Sequence, residues 1–139
     1  MFTVILVTAC LITYAITEIL KTDDVKFNNQ GKIKAVNIRI FWPNGENLTF
    51  IDWGVVDSGS VNNVSVYAKN EGNVPITLKM TINQWNPANA ESFLRLEWNY
   101  TKRLIEPSHV IPIKLSLVVD KNITNIKNFS FTATISGVG

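Results

Sequence analysis

Hydrophobic and polar positions divide the chain into two regimes. Residues 1–17 carry no charge, and the run MFTVILVTACLITYAITEIL meets its first at Glu18, with the next at Lys21. Apolar side chains fall on every side of a helical projection, and Thr3, Thr8, Thr13 and Thr17 share no face. The pattern predicts a hydrophobic α-helix over residues 1–26, apolar all round. Twenty helical residues span about 30 Å, the hydrocarbon thickness of a bilayer, so the segment is read as a membrane span. Threonine fits there because its hydroxyl bonds back to a carbonyl one turn earlier.

After Lys26 the polar residues Asn28, Asn29, Gln30 and Gly31 break the run, and the period changes to two. Val36, Ile38, Ile40 and Trp42 alternate with Asn37, Arg39 and Phe41, and Pro43-Asn44-Gly45 predicts a turn. A second strand is expected through residues 48–53, followed by a loop over residues 54–59. Val64, Val66 and Ala68 alternate with Asn63, Ser65, Tyr67 and Lys69. Ile76, Leu78, Met80 and Ile82 make the cleanest stripe, and Leu94, Leu96 and Trp98 resume it after Asn86-Pro87. Two further strands are expected, one on Ile111, Ile113, Leu115 and Leu117 and one on Phe129, Phe131, Ala133 and Ile135. About seven short strands in this rhythm predict an immunoglobulin-like antiparallel β-sandwich over residues 32–139. The expected fold class is therefore α+β, a helix followed by a sandwich. Its core is expected to hold Trp42, Val66, Leu78, Leu96, Trp98, Leu115, Leu117, Phe129 and Phe131.

Charge narrows the function. Charged residues are 17% of the 139, below the roughly 25% of an average soluble domain, and the net charge is +2. The thirteen basic residues are scattered, so no stripe could neutralise a run of phosphates, and a nucleic-acid partner is not expected. A lone Cys10 closes no intramolecular disulfide, and Cys10 with His109 falls short of a zinc ligand set. No metal and no cofactor are expected. Nor does the N-terminal run read as a secretory signal, because no Lys or Arg precedes it and no A-x-A site follows.

Five N-x-S/T sequons, at Asn47, Asn63, Asn99, Asn122 and Asn128, bring in an outside compartment. In the proposed strands Asn63 opposes Val64 and Val66, and Asn128 opposes Phe129 and Phe131, so these acceptors face solvent. Asn122 falls in a turn. Outward glycans imply export across a membrane.

An apolar N-terminal helix without a basic n-region, joined to a sequon-rich sandwich without cysteine pairs, resembles the archaeal type IV pilins and archaellins. The likeness covers the whole chain as architecture rather than as fixed residues. It implies a short basic leader removed just before the helix, anchorage in the membrane before assembly, and a homopolymeric extracellular filament afterwards. An all-round apolar helix can exchange lipid for neighbouring helices without meeting water, whereas an amphipathic one would lose in one of the two states. On that reading Phe2, Ile5, Leu6, Leu11, Ile12, Tyr14, Ile16 and Leu20 form the filament interface, and the sandwich forms the outer sheath. An adhesive pilus, with a surface or glycan target, is expected first. The same subunit plan also serves a rotating motility filament.

Other readings rest on fewer residues. A monomeric membrane-anchored binding protein needs only the span and an exposed platform, for which Trp53, Trp85 and Tyr67 are candidates. Glu91, Glu97 and Glu106 offer carboxylates for glycoside hydrolysis, but scattered acids imply no cleft. His109, beside Pro107, reads as a turn residue rather than as part of a Ser-His-Asp site. Gly54 and Gly59 are too isolated to cradle a phosphate. The chain is read as non-enzymatic.

Overall fold

The computed structural model describes residues 24–139. The chain divides into two compact units, Met1–Ile33 and Lys34–Gly139. In the first, residues 24–33 have no regular secondary structure and are exposed throughout. The second contains six strands, β1 (Ile38–Phe41), β2 (Val61–Asn70), β3 (Thr77–Asn86), β4 (Leu94–Trp98), β5 (Val110–Val119) and β6 (Ser130–Val138), with one 3-10 turn at Ala88–Ser92.

These elements correct the expected fold class. The described residues form antiparallel β-sheets with no α-helix, so the fold is β rather than α+β. The helix expected over residues 1–26 lies outside the described residues up to position 23, and residues 24–26 are not helical. Among the described residues no helix is long and apolar enough to cross a membrane. Six strands replace the expected seven. One sheet has the order β1-β2-β5-β4 and the other is the pair β3-β6.

Alternation explains the larger sheet. Ile111, Ile113, Leu115, Leu117 and Val119 of β5 are all buried, each one residue from a polar, proline or half-buried neighbour. Register places Ile113 opposite Val66 and Ile111 opposite Ala68 on β2, and Leu117 opposite Leu96 on β4. The inner faces of both sheets meet in one core, where Val66, Leu96, Ile113 and Leu115 pack with Leu78 and with half-buried Met80, Phe131 and Ile135. A second cluster joins Ala90, Leu94, Leu117 and Val119 to Trp85 and Phe129. Of the expected core, Val66, Leu78, Leu96, Leu115 and Leu117 are buried, whereas Trp42, Trp98, Phe129 and Phe131 are only half-buried.

The missing strand has a local cause. Over residues 48–53 only Leu48, Ile51 and Trp53 are half-buried, spaced by three and then by two, so no strict alternation is kept, while Phe50 stands 74% exposed. Pairing stops at an isolated Phe41–Asn47 bridge and a Leu48 N–H bond to Ile40 O of 2.9 Å. Asp52 Oδ1 then accepts the Gly54 N–H at 2.9 Å, and Gly54 adopts φ +67°, so a local turn takes the backbone that a ladder would need. A bulge changes parity in β3. Register shifts between Asn83 and Asn86, Gln84 has φ 57°, and the next inward residue after Ile82 becomes Trp85, which meets Phe131 at 4.6 Å between ring centroids.

Candidate functional surface

The outer face of the four-stranded sheet is built by the residues that alternate with its core stripe. Its centre is polar, with Asn63 and Ser65 of β2 opposite Ser116 and Lys114 of β5. Toward β1, the rings of Phe41 and Tyr67 stack at 5.7 Å, and the Arg39 guanidinium lies 4.4 Å above the Phe41 ring. Toward β4, Arg95 pairs with Glu97 on the same exposed strand face.

Three sequons belong to this surface. Asn63 Oδ1 accepts the Ser116 hydroxyl at 2.6 Å. Asn99, just beyond β4, accepts the Lys114 backbone N–H at 2.9 Å through Oδ1. Asn47 Oδ1 takes Arg39 Nε at 2.7 Å, and Arg39 Nη2 also donates to the Gly45 carbonyl. In each case the oxygen is the bonded atom and the amide nitrogen, the atom that carries a sugar, is not. Asn122 and Asn128 lie in the β5–β6 connection, where Asp120 Oδ1 holds the Asn122 backbone N–H at 2.7 Å. All five asparagines, and the hydroxyl residue two positions after each, are exposed.

A cleft of about 780 Å³ opens between β6 and residues 48–54. Buried Leu96 and Leu115 reach its floor, together with Ile40 and Met80, and Trp53, Phe129 and Phe131 line its walls. It exists because residues 48–53 did not become a strand. Ala133, expected in the inward stripe of β6, lines this cleft and is exposed.

Other candidates are not brought together. Tyr67 stacks on Phe41 and Trp85 packs against Phe131, so the proposed trio with Trp53 is not one platform. Arg39 and Phe41, which the periodicity placed merely as outward residues, form the aromatic contact instead. Glu91 sits on the 3-10 turn, Glu97 on β4 with Arg95, and Glu106 near the His109 turn, all exposed. His109 donates its backbone N–H to Glu106 O at 3.0 Å, a turn contact. Gly54 and Gly59 occupy separate turns with positive φ. Among the described residues no three His, Cys, Asp or Glu side chains are grouped to hold a metal ion. The filament-interface residues Phe2, Ile5, Leu6, Leu11, Ile12, Tyr14, Ile16 and Leu20 lie outside the described residues. Searches for similar proteins found no match to any family model, curated protein or solved structure.

Proposed function

We propose that the chain is a structural, non-enzymatic subunit of an extracellular filament of the archaeal type IV pilus kind, and that it serves adhesion. The observation that carries this reading is the charge-free run of residues 1–17 ahead of a separate β unit. Such a run is costly in water and needs either lipid or copies of itself around it. Homopolymerisation through that run satisfies it after it leaves the membrane. A contact repeated by a screw operation does not close, and so it builds a fibre.

The exposure of all five sequon asparagines supports a cell-surface location. Sugars at Asn47, Asn63 and Asn99 would cover the outer face of the larger sheet and turn it to solvent. The Arg39–Phe41–Tyr67 cluster on that face favours one second reading, a membrane-anchored monomer that binds a surface ligand.

Negative-stain electron microscopy of material sheared from cells, with peptide mass analysis, separates the two. Thin uniform filaments containing this chain are expected. Recovery solely as single subunits from detergent-solubilised membranes would replace the filament reading with the anchored monomer.

A further inference from the structure

The smaller sheet ends in an unguarded edge. β6 pairs with β3 on one side, and among the described residues no ladder or bridge joins its other side. An edge strand presents a row of unpaired N–H and C=O groups, which proteins usually blunt with charge or proline. Every other strand here carries such a residue, namely Arg39, Lys69, Lys79, Arg95 and Pro112 on β1 to β5 in turn, but β6 reads SFTATISGV and has none. The apolar cleft runs along this edge. In a seven-stranded immunoglobulin-type sandwich of order ABED and CFG, a third strand flanks the smaller sheet at the place where β6 is free.

The chain also carries a segment with the complementary pattern. In residues 24–28 the apolar Val25 and Phe27 alternate with Asp24, Lys26 and Asn28, the period of a strand with one buried face. Val25 is 74% and Phe27 58% exposed, and the segment has no secondary structure. Large apolar side chains alternating in an exposed extended segment are suited to burial against another surface. Five residues, 29–33, separate it from Lys34, an extended reach of about 17 Å.

We propose that residues 24–28 of one copy add as a strand to the free edge of β6 in a second copy, with Val25 and Phe27 entering the cleft. Main-chain hydrogen bonds supply affinity and the two side chains supply register, the logic of strand addition. The contact is head-to-tail, since donor and acceptor differ, and repeated by the screw operation of a filament it propagates without closing. It deepens the filament reading and takes its neighbouring copy from that reading.

Two differently tagged full-length chains test it, each with Cys10→Ser. One carries Asn28→Cys and the other carries Thr132→Cys or, in a parallel pair, Thr134→Cys. The chains are co-expressed and treated with an oxidant or a short bifunctional thiol reagent. A crosslinked species containing both tags is expected, at least tenfold above the yield with Ser58→Cys, an exposed turn residue, as acceptor. Adding Phe27→Asp to the donor should remove it. Yields equal to the Ser58→Cys control or, in a third chain bearing both Asn28→Cys and Thr132→Cys, closure only within that chain would overturn the proposal. Microscopy of the same samples keeps the two claims apart. Filaments without the mixed crosslink sink the strand addition alone, whereas the mixed crosslink without filaments keeps it and sinks the filament reading.

Discussion

Asn70 is the one buried polar side chain among the described residues, and it holds three backbone groups in place. Its Nδ2 donates to Val74 O at 2.7 Å and Ile105 O at 2.8 Å, while Oδ1 accepts the Gly72 N–H at 2.9 Å. Replacing Asn70 with Ala removes the side-chain partner of Val74 O and the Gly72 N–H, while Ile105 O keeps the Ile76 N–H, and each unmet buried group costs about 1–3 kcal/mol. We expect Asn70→Ala to lower the unfolding free energy by about 2–4 kcal/mol in urea titrations, allowing for water reaching the turn. A loss below 1 kcal/mol would show that the turn rearranges freely. Gly72 is constrained differently. A Cβ there would overlap the Ala35 carbonyl, because Glu71 and Asn73 donate backbone bonds to Asn37 O and Ala35 O at 2.8 and 3.0 Å. Gly72→Ala should therefore cost about 1–3 kcal/mol, read as a lower melting temperature, by pushing the approach to β1 away. An unchanged melting temperature would mean that this approach contributes little.

At the scale of elements, the burial of the isolated Ile76–Ile105 bridge is as complete as that of the ladders. The two residues are 0% and 1% exposed and exchange bonds of 3.1 and 2.8 Å. Ile105→Ala should cost about 2–4 kcal/mol through lost transfer energy and the cavity left behind, measured by denaturant unfolding. Ile76 stood out in its stripe, but Ile105 lies in no alternating run, and only its pairing across the fold buries it. The strands that alternated strictly, β2, β4 and β5, were legible because one buried face enforces period two. Residues 48–53 looked similar, yet Asp52 and Gly54 divert the backbone into a turn. Trp85 escaped the pattern because the bulge at Gln84 reverses parity. The five acceptors were legible as motifs, and the structure places every one of them at solvent. The Arg39–Phe41–Tyr67 contact was not legible, since it depends on the register that sets Phe41 opposite Tyr67. Glycopeptide mass spectrometry should find sugar on the outer-sheet sites Asn63 and Asn99, and Asn63→Gln should remove one glycan without unfolding the domain. Unmodified peptides at all five sites from native material would remove the surface argument.

At the scale of the whole molecule, the filament reading gives the charge-free N-terminal run and the β unit separate tasks. On that reading Ile12→Lys places a charge among packed apolar segments, a cost of several kcal/mol, while the β core among the described residues is formed by residues of the β unit. Filaments should vanish and the β domain should retain its melting transition. Intact fibres of that variant, seen by electron microscopy, would show that the run is not the polymerising element.

The order in which strands become available has a consequence of its own. Val61 at the start of β2 pairs with Val118 near the end of β5, 57 positions later by subtraction, and Thr77 of β3 pairs with Val138 of β6, 61 positions later by subtraction. Loops of that length must close before any contact repays their entropy, so topology of this kind folds on roughly millisecond to second scales. A chain still being synthesised cannot complete the larger sheet before Val119 emerges, or the smaller before β6 does. Until β5 emerges, the edge of β2 that will pair with it is open and must be kept from other chains.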